Sequence, residues 1–267
     1  MSWTENKWLK PAWMGGENDF VTKYQDKFAK IGEKFAPKIV EKTGIAKAKG
    51  NKESRIALTG TESNILGFII VLNDISQNNI YYSNGGYLEM VIDDHNDYKL
   101  FDDFMYEFIY GGGSKQQTIV LRIVKQIVAV FDSFSSGQVC LNDFQNTKDH
   151  KDTKLSGGYR IFRSLSIIHF IEERLQTENY EAAKQEDKDK SIFKISHKKA
   201  IEKEVAFLKL LFPSLSSVSR VDNLEDDDHD PYKEKYYYYG NFLEVKFTQK
   251  KGATTRVFAV NFKSVPE

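Results

Sequence analysis

The stretch that most constrains this chain is its last, residues 232–263, which begin YKEKYYYYGNFLEVKF. Aromatic, apolar and charged residues alternate there. The loop QKKGATT carries Lys250, Lys251 and Gly252, and the return arm RVFAVNF alternates as well. The spacing predicts a C-terminal β-hairpin that joins the core sheet. It holds the densest mixture of aromatic and basic residues in the chain.

Upstream, 267 residues are enough to bury a sizeable core, and 13% aromatics excludes a disordered chain. From Val21, the apolar residues Tyr24, Phe28, Ile31 and Phe35 recur at helical spacing beside a Lys-rich face. RIALTG (55–60), ILGFIIVLND (65–74), NIYY (79–82) and YLEMVID (87–93) read as an antiparallel β-meander, with a turn at Ser83-Asn84-Gly85-Gly86. Helices are expected over 98–110, 115–134, 159–175 and 198–212, with a short strand at 138–141. The fold class is therefore α+β: an antiparallel β-meander, a helical middle segment and a C-terminal β-hairpin. As domains, 1–20 is an aromatic arm, 21–213 the α+β core, 214–231 a Ser-rich and acidic linker, and 232–267 the hairpin.

Net charge is zero, but its distribution is uneven. Residues 1–56 hold 12 Lys/Arg against 7 Asp/Glu, residues 57–230 hold 19 against 28, and residues 231–267 hold 7 against 3. Basic ends around an acidic middle fit intramolecular pairing, self-association or two binding faces. Cys140 is the only cysteine, which excludes an intrachain disulfide framework and a Cys-rich zinc site. The first twenty residues carry no run resembling a signal peptide, and ILGFIIVL falls far short of the roughly 18 apolar residues of a membrane span. A cytoplasmic or otherwise intracellular protein, not secreted and without a membrane partner, is expected.

The leading functional expectation is a non-enzymatic nucleic-acid-binding protein that prefers single strands. Tyr236, Tyr237, Tyr238, Tyr239 and Phe242 would stack bases, while Lys246, Lys250, Lys251 and Arg256 neutralise phosphate. An alternative is an assembly subunit that docks on neighbours through Trp3, Trp8 and Trp13, whose spacing of five matches neither a helix face nor a strand face.

A third alternative starts from Asp230-Pro231 followed by Glu244-Val245-Lys246. This spelling resembles the PD-(D/E)xK nuclease superfamily over under a tenth of the chain. The resemblance implies a Mg²⁺ site on Asp230 and Glu244, with Lys246 orienting the attacking water. Asp230 sits in an acidic loop instead of on an apolar strand, and only one strand follows the Glu-x-Lys. Outside that alternative no cofactor is expected. The five histidines form no H-E-x-x-H, and His169, beside the apolar stripe of its helix, reads as a satisfied core residue.

Overall fold

A computed structural model describes residues 53–76, 80–83, 85–90, 100–111, 118–127, 129–133, 136–176, 190–215, 218–225, 232–253 and 255–263. The Trp arm with Trp3, Trp8 and Trp13, the basic helix expected from Val21, and Asp230 lie outside the described residues. The protein is α+β, with five helices and eleven strands among the described residues. No helix among these residues is long and apolar enough to cross a membrane.

Strand β1 (Ile56–Gly60) leads into helix α1 (Glu62–Ile75). Thr61 caps α1 by accepting the Asn64 N–H at 3.3 Å, and Glu62 in the first turn complements the helix dipole. Residues 65–74, expected as a strand, therefore lie inside a helix. Every residue from Ile65 to Ile75 is buried, so the run shows no polar face from which a helical period could be read. The hairpin of β2 (Ile80–Tyr82) and β3 (Leu88–Met90) follows where the 83–86 turn places it, and α2 (Leu100–Tyr110) buries the expected Phe101, Phe104, Met105, Phe108 and Ile109.

Strand β4 (Ile119–Val124) lies within the stretch 115–134 that is expected to be a helix. Ile119, Leu121 and Ile123 are buried while Val120 and Arg122 are exposed, a period of two. It forms a sheet with β5 (Asp132–Ser133) and β6 (Gln138–Cys140) in the order β1-β4-β6-β5. β1, β4 and β6 run parallel, so the expected antiparallel meander of the first half is reduced to the β2–β3 hairpin.

The second half carries α3 (Leu141–Gln145), β7 (Thr147–Asp149), α4 (Gly158–Leu175) and α5 (Lys190–Leu211). Asp149 caps α4, with its carboxylate accepting the Gly157 N–H at 2.7 Å and the Tyr159 N–H at 2.9 Å. A Cβ on Gly158 would stand 2.8 Å from Phe262 Cβ, so this glycine lets the start of α4 settle on the C-terminal sheet. That sheet contains β8 (Arg220–Glu225), β9 (Tyr232–Tyr239), β10 (Leu243–Lys250) and β11 (Arg256–Phe262) in the order β7-β11-β10-β9-β8. The expected Tyr-rich arm is thus two strands, divided by a turn in which Gly240 takes φ 55°. β8 arises inside the stretch expected to be a linker. Helix α4 is central, packing on β7 and β11 and on α1, α2 and α5.

A buried ion pair in the second half reaches back to the loop before β5. Arg256 Nη1 donates to Asp143 Oδ2 at 2.7 Å, and both side chains are fully buried. Arg256 also donates to the carbonyls of Ile127 and Ala129, and Asp143 Oδ2 accepts the Phe131 N–H at 2.7 Å. The loop before β5 is held from both sides. Arg256, expected to face phosphate, is committed to the interior because three carbonyl and carboxylate acceptors converge on it there. Substituting Asp143→Ala would leave a buried guanidinium without its counter-ion and should lower stability by about 3–5 kcal/mol in urea denaturation. A loss below about 1 kcal/mol, the ceiling for exposed pairs, would contradict this role.

Candidate metal centre

Helices α4 and α5 pack antiparallel, so that the later Glu173 meets the earlier His197 and the earlier His169 meets the later Glu204. His169 and Glu173 are four residues apart on α4, and His197 and Glu204 seven apart on α5, so each pair shares one helix face. The two His–Glu faces are pressed together at the helix interface.

Three donor atoms meet at a single point there. His169 Nε2 lies 2.8 Å from Glu173 Oε1, His197 Nδ1 lies 2.6 Å from the same oxygen, and the two nitrogens are 3.0 Å apart. Protons satisfy this triangle only by crowding two donors onto one oxygen. With Glu173 ionised, its Oε1 accepts an N–H from each imidazole, and the two donor nitrogens then stand only 3.0 Å apart. With either nitrogen bare, its lone pair faces the carboxylate. A cation at the centre is attracted to all three lone pairs. Metal–ligand bonds of about 2.0–2.2 Å place neighbouring ligand atoms roughly 3–3.5 Å apart, somewhat wider than the 2.6–3.0 Å observed. Two histidines and one carboxylate on one side of the ion are a recurring donor set for zinc and non-haem iron.

The surroundings support that arrangement. On its far side, His169 Nδ1 lies 2.5 Å from Glu204 Oε1, which orients the ring and presents Nε2 to the triangle. Glu204 is fully buried and held by Arg220 Nη1 at 2.9 Å and by the Tyr239 hydroxyl at 3.1 Å. Arg220 in turn grips Asp222 with two further bonds of 2.8 and 3.0 Å, and its guanidinium stands 5.1 Å from the Tyr237 ring centre. Arg220 and Tyr239 face each other in the β8–β9 register, as do Asp222 and Tyr237, so one sheet edge delivers all four groups to the helices. Phe193, one turn before His197, stacks on its ring at 5.0 Å. His197 is 31% exposed and forms the outer side of the centre.

The centre opens on a cavity of about 560 Å³. Phe131, Asp132, Ser133, Phe162 and Lys235 contribute to its walls. Burial raises the Asp132 carboxyl pKa, and the nearby Glu173 raises it further, against Arg174 and His169. Burial would also raise Glu173, but hydrogen bonds from His169 and His197 outweigh it and hold that carboxyl below the usual range. Burial alone would lower the His169 pKa. Glu204, followed by Glu173, reverses this and raises it to about 10. Phe131 adopts φ 60°, left-handed backbone that costs an ordinary residue about 1–2 kcal/mol.

The residues singled out from the sequence are divided between the two faces of the C-terminal sheet. Tyr237, Tyr239 and Phe242 are buried, as is Arg256, so they present no stacking or phosphate-binding surface. Period-two alternation sends Tyr237 and Tyr239 inward to the cavity and Tyr236 and Tyr238 outward. The outward rings are stacked, 6.0 Å apart and 11° from parallel, and Lys246 Nζ lies 5.7 Å from the Tyr236 ring centre. Lys246 also pairs with Glu234 at 2.6 Å, and Glu244 pairs with Lys263. Glu244 and Lys246 therefore share a face, as expected, but with partners of their own. Lys250 is exposed and Lys251 half-buried at the β10–β11 turn.

Of the trio, only His169 is named from the sequence, and as a satisfied core residue. The signal is a His-x₃-Glu on one expected helix and a His-x₆-Glu that starts one residue before the next. No family model, no curated protein and no solved structure matches this chain.

A pH prediction follows from His169. Its folded pKa of about 10 exceeds the ordinary value near 6.5. The charged ring therefore stabilises the fold fully below about pH 6.5, and that contribution is lost as pH rises through 10. In chelator-containing buffer, urea midpoints of the wild type should fall between pH 7 and 10, and those of His169→Gln should fall less. Parallel curves would contradict the assignment.

Proposed function

We propose that this protein binds one divalent transition-metal ion, of the zinc or ferrous type, through His169, Glu173 and His197, and uses it as a hydrolytic centre. The observation that carries this reading is the convergence of two imidazole nitrogens and a carboxylate oxygen within 3.0 Å of one another, with His169 backed by Glu204. Three protein ligands leave coordination positions open toward the cavity, the pattern that separates catalytic sites from closed structural ones. An ion held there supplies a Lewis acid and a bound water of lowered pKa. The reading asks for a cofactor where the sequence pattern suggested none.

Metal content by mass spectrometry and zinc titration by calorimetry test it. The wild type should take up one zinc per chain. His169→Ala, Glu173→Ala and His197→Ala should each weaken binding by about 100-fold or more, and Glu204→Gln by about 10–100-fold through loss of ring orientation. Equal zinc affinity in the wild type and all three ligand variants would overturn the proposal.

A second reading, single-stranded nucleic-acid binding, is favoured by the parallel outward rings of Tyr236 and Tyr238 beside Lys246. This surface lies on the opposite face of β9 from the cavity, so the two activities separate cleanly. Binding of a labelled single-stranded oligonucleotide should weaken with salt, and by about tenfold or more in the double variant Tyr236→Ala/Tyr238→Ala, while His169→Ala leaves it unchanged. No binding at low salt would remove this reading.

A further inference from the structure

We infer that Asp132 is the proton acceptor of this centre, standing on the wall of the cavity that the trio also lines; the inference rests on the metal reading above. Four observations carry it. Asp132 lines the cavity that His169, Glu173 and His197 also line. Its Oδ2 is closed to solvent and has no hydrogen-bond partner, a costly state for a carboxylate. The residue before it, Phe131, holds left-handed backbone, and strain of this kind gathers at functional sites where the surroundings over-determine it. Here the surroundings do so through the Asp143–Arg256 pair, which fixes the Phe131 N–H and the carbonyls of Ile127 and Ala129.

Asp132 is outside the converging set, so it is not a fourth ligand. A carboxylate beyond ligand distance, but in the same cavity, is placed to serve water held on the open side. The charged groups facing it are Glu173, Arg174 and His169, all from α4. Arg174 donates to the Ser133 carbonyl next to it, which steadies β5. In the proposed step the Asp132 carboxylate takes one proton from the water, and the water oxygen bonds to the electrophilic carbon or phosphorus of the substrate. The bond to the leaving group then breaks, its electron pair going to the leaving oxygen or nitrogen. That atom takes the proton back from Asp132.

The test uses the full chain loaded with cobalt(II) or zinc, comparing wild type, Asp132→Asn and Asp132→Glu. Asp132→Asn should bind cobalt within about threefold of wild type, since no ligand is lost. The pH midpoint of its cobalt absorption spectrum should move by about one unit or more, because the group that shares the water's proton is gone. Zinc-dependent hydrolysis of p-nitrophenyl acetate should fall by about 100-fold or more, with partial recovery in Asp132→Glu. A fall in cobalt affinity beyond about tenfold would make Asp132 a ligand and overturn the proposal, as would an unchanged spectrum and unchanged hydrolysis. Absence of cobalt uptake by the wild type would instead overturn the metal reading itself, a distinct outcome.

Discussion

Glu204 is a carboxylate with no access to water, and the rest of the site depends on how its charge is met. A buried carboxylate is tolerable only when hydrogen bonds and opposite charge replace its hydration. Three elements supply them: His169 from α4, Arg220 from β8 and Tyr239 from β9. The same contacts therefore fasten both helices to the sheet edge and set the rotation of the His169 ring. The demand for satisfaction at Glu204 produces the aim of Nε2.

The second buried pair, Asp143 with Arg256, acts on the cavity through the loop that lines it. It joins α3 to β11 and holds the loop that ends in Phe131 and Asp132. Of the two ionic anchors, one fixes the donor trio and the other the loop that carries the neighbouring carboxylate. Substitutions at Glu204 or Asp143 are therefore expected to act on geometry, and substitutions at His169, Glu173 or His197 on the ion itself.

Much of this architecture was legible in the sequence where one face of an element meets water. α2 and α4 show their apolar stripes, and the C-terminal strands show their alternation. The signal failed where burial was complete or ambiguous. Ile65 to Leu72 is apolar without interruption, so no period distinguishes strand from helix, and the deciding detail is the Thr61 cap. Ile119, Val120, Ile123 and Val124 fit a helical stripe as well as a strand. Parallel pairing with β1 and β6 settles them as a strand, and such long-range pairing leaves no local mark. The candidate centre was half legible. The His-x₃-Glu and His-x₆-Glu spacings place each pair on one helix face, but neither states that the faces meet. Arg220 comes from a Ser-rich and acidic stretch that resembles a linker, and only its pairing with Tyr239 turns it inward.

The most direct test of the central claim is a crystal structure of the zinc-loaded protein with data collected at the zinc absorption edge. The account predicts one anomalous peak among His169 Nε2, Glu173 Oε1 and His197 Nδ1, at about 2.0–2.2 Å from each, with Glu204 still against His169 Nδ1. A loaded crystal with no peak there, and the three side chains still hydrogen-bonded to one another, would contradict it.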